Sequence, residues 1–141
     1  MSPIKHVGLG TVGLVLSLAA ATAWADVVAV VSSQSAIKTL SKSQVADIFL
    51  GKVRRFPDGT LAVPIDQAED SAAREEFYTK VTGKSPAQLK AHWSKIIFTG
   101  RGQPPKSVPN GVEMKKRLAG DPTAIGYIEK SMLDGSVREV F

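Results

Sequence analysis

Ser71, Ala72, Ala73 and Arg74 stand together where the chain passes from an apolar stretch into a helical pattern. A serine, two very small residues and an arginine suit a helix start that faces an oxyanion. The first turn of a helix has backbone N–H groups without helical partners, and the macrodipole places partial positive charge there. The alanines leave those N–H groups sterically open, the serine adds a hydroxyl, and the arginine supplies a charged fork. The same residues also describe an ordinary capped helix with Ser71 as its N-cap. Arg74 then has a plain alternative partner in Asp70, four residues earlier, in an exposed ion pair worth a few tenths of a kcal/mol. Glu69 and Asp70, directly ahead of the serine, oppose a doubly charged ligand unless they point away. Both readings, anion site and capped helix, stay open at this level.

Two further places have residue types that could meet an anion. Thr99-Gly100-Arg101-Gly102 is a glycine-rich segment that could present backbone N–H groups from Gly100 and the charge of Arg101. Its bland alternative is a connection between elements. Ser32 and Ser33 follow the first strand, at the end of a strand where α/β sheets commonly hold ligands; ordinary turn chemistry is the preferred reading of both. His92 has no acidic or histidine partner at ligand spacing, so no metal and no cofactor are implied. Neither a catalytic triad nor a nucleophile elbow can be written, and the chain reads as no enzyme.

These residues must be held by elements that the pattern predicts. "VVAVV" at 27–31 is a β-branched run of the kind buried on both faces of a sheet. Ser41 with Gln44 forms a capping box for a helix that carries Val45, Ile48 and Phe49 on one face. "LAVPI" at 61–65 predicts a second strand near a sheet edge, because Pro64 cannot donate to a ladder. The helix from Ser71 carries Ala73, Phe77 and Val81 on a core-facing stripe and stops at Gly83. Ser85-Pro86 with Gln88 opens a third helix, with Leu89, Trp93, Ile96 and Ile97 as its apolar face. The glycines and prolines of 99–111 predict a loop, Asn110 and Glu113 cap a fourth helix, and "AIGYIE" and "VREVF" close the chain as strands. Strands separated by helices imply an α/β fold, with helices on both faces of the sheet.

The amino terminus reads differently. Lys5 and His6 precede an apolar run from Val7 to Ala21, and Ala23-Trp24-Ala25 supplies small residues where a signal peptidase cleaves. Residues 1–25 are therefore expected to be a signal peptide, and 26–141 the working domain; an uncleaved membrane anchor is the alternative. The sequence has 141 residues, a net charge of +5 and no cysteine. An exported domain without cysteine relies on packing rather than disulfides. The mild positive excess suits anionic ligands. The basic residues are scattered, without a block interleaved by aromatics, so nucleic acid is not an expected partner.

The order of "LSKSQVADIFLGKVRRFPDGTLAVPIDQ", "SAAREEFYTKVTG", "HWSKIIFTGRG" and "DPTAIGYIE" resembles that of the substrate-binding proteins of phosphate ABC transporters, and more closely a short, single-domain branch of that phosphate-binding-protein-like family. The resemblance runs from about Val27 to Val140. It implies a single lobe of a type II periplasmic-binding-protein-like fold, a mixed sheet flanked by helices, where the full-length family closes two lobes on an oxyanion. It further implies a periplasmic protein that binds phosphate or a related oxyanion and serves an ABC permease. The alternative is an accessory or sensory module that recognises a periplasmic or membrane protein partner, or a homodimer that rebuilds the cleft. The family site has Ser-Gly-Thr at a helix start, with an arginine four residues before the serine. With Phe77 matched to the family's helical phenylalanine, Ser71 falls on the serine, Ala72 on the glycine and Ala73 on the threonine. Gln67 falls on the arginine. The threonine hydroxyl and the family charge are both absent here, which leaves Arg74 as the substitute.

Overall fold

Every residue of Val27–Ser32, the first strand β1, is buried, and the reason is visible in how the run divides. Val27, Ala29 and Val31 join one hydrophobic cluster, while Val28 and Val30 join another on the opposite face. A strand covered on both sides has no solvent-facing register, so continuous β-branched sequence suits it. In the computed structural model, residues 25–141 are described continuously, with positions 3, 8, 10 and 12–15 before them. Of the signal peptide expected at residues 1–25, all but Ala25 falls outside the continuously described residues.

After β1 come α1 (Lys42–Phe49), β2 (Val63–Gln67), α2 (Ala72–Thr82), α3 (Pro86–Phe98), β3 (Lys106–Val108), α4 (Gly111–Ala119), β4 (Ala124–Glu129), one 3-10 turn at Lys130–Met132, and β5 (Val137–Glu139). The sheet order is β3-β2-β4-β1-β5. β2 runs parallel to β3 and β4, whereas β1 runs antiparallel to β4 and β5. The sheet is therefore mixed, as the resemblance implies. Residues of α1, α2 and α3 build the larger core on one face, and Met114 and Leu118 of α4 build the smaller one on the other. The carboxyl ends of β2 and β4 share one edge of the sheet with the amino end of β1.

Local signals set the helix boundaries. The capping boxes at Ser41–Gln44 and Ser85–Gln88 are both formed, and Asn110 accepts from the Glu113 N–H. Two expectations shift. β2 begins two residues later than the pattern predicts and continues through Asp66 and Gln67, and it is not an edge strand. Pro64 is tolerated because β3 pairs only with Ile65–Gln67, so no donor is required of Pro64 on that side. The segment predicted as loop contains β3, a strand that proline flanks rather than interrupts. Ile97 also leaves the apolar face of α3 and stands exposed.

Gly126 on β4 lets α4 approach the sheet. A Cβ there would lie 2.4 Å from the Met114 sulfur and 3.1 Å from Leu118, both fully buried. Gly126→Ala should therefore cost about 1–3 kcal/mol through overpacking. A urea midpoint that falls with an unchanged m-value would show it; an unchanged midpoint would mean that α4 can move outward freely.

Candidate functional site

β2 ends at Gln67, the chain turns through Ala68–Asp70, and α2 begins at once. That short connection gathers the central candidates. Ser71 is the N-cap of α2 and accepts from the Arg74 N–H at 3.3 Å, while its own hydroxyl donates to Gln67 Oε1 at 3.2 Å. Gln67 is buried and donates through Nε2 to the Tyr127 carbonyl at 2.9 Å. Ala72 is exposed and Ala73 half-buried. Their N–H groups have no partner among the described residues, so the opening of α2 keeps two free donors.

Arg74 does not pair with Asp70. Its Nε lies 3.3 Å from Asp66 Oδ2, with the guanidinium carbon 5.2 Å from the centre of the Tyr78 ring. The physical reason is the turn itself: side chains in a helix lean toward its amino end, which directs Arg74 back over the end of β2. There Asp66 is a buried acceptor that water cannot solvate, whereas Asp70 is exposed and well hydrated. The Nη groups of Arg74 have no partner among the described residues.

Asp66 is the centre of the arrangement and was not among the sequence candidates. Tyr78 donates to its Oδ2 at 2.8 Å, Tyr127 donates to its Oδ1, and the Gln67 N–H donates to Oδ1 at 2.9 Å. Burial, reinforced by the Asp66 charge, pushes the hydroxyls of Tyr78 and Tyr127 well above the ordinary tyrosine range. Both therefore stay protonated and serve as donors. The rings of Phe77 and Tyr127 stack at 4.1 Å, and Phe49 meets them edge-on, so the carboxylate sits at the end of an aromatic cluster. An acid one position before Gln67 was visible in sequence, but only the period-2 alternation of a longer β2 would have turned it inward.

The other candidates lie elsewhere. Ser32 and Ser33 close β1, which runs antiparallel to β4, so they stand at the opposite edge of the sheet from Ser71. The Ser32 hydroxyl is buried, donates to the Ala119 carbonyl and accepts from the Gln34 N–H, which fits the turn reading. Gly100, with φ +68°, closes α3 in the left-handed conformation. The N–H groups of Gly100 and Arg101 bond to the carbonyls of Ile97 and Ile96, so they serve as a helix end rather than an anion nest. His92 bonds to the Leu50 carbonyl. Among the described residues, no cluster of three metal-ligating side chains is present, and no helix is long and apolar enough to cross a membrane.

No family model matches the sequence, and no curated protein matches it significantly. Solved structures do. A Clostridium perfringens protein described as a phosphate ABC transporter substrate-binding protein, with phosphate bound, superposes at TM-score 0.64 and 23% identity over 82% of this chain and 44% of its own. The fold is that of one lobe of a phosphate-binding protein. An ABC-type phosphate transport receptor from Vibrio cholerae matches at TM-score 0.64 and 17% identity, again over 82% of this chain and 45% of its own. PstS from Borrelia burgdorferi matches at TM-score 0.57 and 14% identity, covering 47% of that chain. This chain thus spans less than half the length of the structures it resembles. The Clostridium perfringens and Vibrio cholerae proteins are named as components of phosphate transport.

Proposed function

We propose that this lobe is an exported substrate-binding-type protein that meets phosphate or a related oxyanion at the opening of α2. The observation that carries the reading is the presence, in the first turn of α2, of donors without partners among the described residues: the N–H groups of Ala72 and Ala73 and the Nη groups of Arg74. Ser71 adds a hydroxyl that can turn from Gln67 to the ligand. Asp66 has two opposed effects. It fixes the guanidinium at the end of β2, over the Tyr78 ring, and it neutralises the charge that would attract the ion. A single lobe also covers only one side of a small anion, whereas good sites enclose most of their ligand. Phosphate should accordingly bind the isolated chain weakly, with Kd of about 1 mM, or about −4 kcal/mol.

The experiment is calorimetry with phosphate and sulfate at low salt, on the parent and on Ser71→Ala. Ser71→Ala should weaken binding and also cost about 1 kcal/mol of stability through the lost cap. Stability loss without any binding in the parent at millimolar phosphate would leave α2 as a capped helix and end the oxyanion reading.

A second reading is favoured by the lobe's length relative to its structural neighbours. The exposed opening of α2 then meets a protein: a second copy of this chain, or a periplasmic or membrane partner such as an ABC permease. Light scattering with and without phosphate separates the homodimer from the rest, since a phosphate-dependent doubling of mass requires self-association.

A further inference from the structure

At the edge of the sheet away from α2, the amino ends of β2 and β3 open into a groove of about 510 Å³. Its floor is apolar, with Ile48, Leu61, Trp93 and Ile96 among the lining residues. Leu61 is 49% exposed, so part of that floor already meets water. Four cations, Arg54, Arg101, Lys106 and Arg117, line the same groove, and no acidic side chain does. Arg117 is paired with Asp121 at 2.8 Å, and Arg54 donates to the Arg101 carbonyl at 3.3 Å. Arg101 and Lys106 have no ion-pair partner among the described residues. The indole N–H of Trp93 also has no partner among the described residues.

We propose that this groove binds a small anionic amphiphile: an apolar body on the floor, with a carboxylate or phosphate-ester headgroup between Arg101 and Lys106. The volume falls within the range of small-molecule sites, and an apolar lining with a few convergent polar groups is their usual chemistry. The charge arrangement selects the sign. Arg101 and Lys106, without an acid to pair them among the described residues, hold a positive potential over low-dielectric walls, which an anion relieves. An inorganic ion would leave the floor wet, and a neutral apolar molecule would leave the cations unmatched. This site lies about 13 Å along β2 from the opening of α2, four residue steps at strand rise, and does not depend on the oxyanion reading there.

The test is calorimetry of the full chain with monomeric decanoate, below its micellar concentration, alongside decanol and decyltrimethylammonium. Decanoate should bind at one site, and the neutral and cationic analogues at least about tenfold more weakly, a gap of about 1.4 kcal/mol. Arg101→Glu with Lys106→Glu should remove decanoate binding while leaving the unfolding midpoint in place, because both side chains are exposed and without side-chain partners. Leu61→Asn should weaken binding from the apolar side, and Ser71→Ala should leave it unchanged. Equal binding of decanol, equal binding of decyltrimethylammonium, indifference to the double charge reversal, or loss in Ser71→Ala would each overturn the proposal. So would the absence of decanoate binding, including the case where the chain sediments only with phosphatidylglycerol vesicles, which would assign the cations to a membrane surface.

Discussion

Asp66→Ala should lower the unfolding free energy by about 3–5 kcal/mol, the usual cost of removing one partner from a buried ion pair. Asp66 is 4% exposed and receives Tyr78, Tyr127 and the Gln67 N–H as well as Arg74. Without it, two buried tyrosine hydroxyls lose their acceptor, each an unsatisfied group of about 1–3 kcal/mol. Arg74 loses less, since its side chain is 16% exposed and can reach water. Asp66→Asn separates charge from shape. It keeps an acceptor for one tyrosine and should cost less than Asp66→Ala, while releasing Arg74 from its counter-charge. Phosphate affinity should then rise by about tenfold, within the strength of one hydrogen bond to a charged group. Urea melts give the first quantity and phosphate calorimetry the second. An Asp66→Asn variant that is destabilised yet binds phosphate no better would show that Arg74 does not face the ligand.

The helix starts were readable because they rest on short-range chemistry. Ser41 with Gln44, Ser85 with Gln88, and Ser71 with the Arg74 N–H each involve residues three apart. The two-sided burial of β1 was readable from five consecutive apolar residues, and the lobe architecture followed from the order of motifs. The site was readable only in part. Ser71 links Gln67 and the Arg74 N–H, but Arg74 pairs with Asp66 rather than with Asp70. Asp70 is near in sequence; Asp66 becomes near only once β2 extends to Gln67 and α2 turns back across it. Tyr127 is still further from sequence-level view, because it reaches Asp66 across the β2–β4 pairing, 61 residues away. Strand ends decided by tertiary pairing, here β2 with β3 and β4, lie beyond what a local pattern carries.

Raising the pH past about 10, the ordinary tyrosine value, should destabilise the fold by about 2.7 kcal/mol per pH unit. The chain has two tyrosines, and both are the buried donors to Asp66. Burial first, and then the Asp66 carboxylate, holds their hydroxyls protonated well above the ordinary range in the fold. In the unfolded chain they ionise normally. Their contribution is therefore complete below about pH 10 and is lost above it, because the unfolded state releases two protons that the fold retains. Each proton contributes about 1.36 kcal/mol per pH unit. Tyr127→Phe should halve the slope, since one such group remains, at the cost of leaving Asp66 with one fewer donor. Urea melts across this alkaline range measure the slope, and ultraviolet absorbance of tyrosinate measures ionisation directly. The two signals should coincide, with tyrosinate appearing only as the circular dichroism of the fold disappears. Tyrosinate that forms near pH 10 in a chain with native circular dichroism would mean that water reaches Asp66 and its tyrosines. Arg74 would then sit over a hydrated carboxylate rather than a buried one, and the reason for its turning away from Asp70 would be gone.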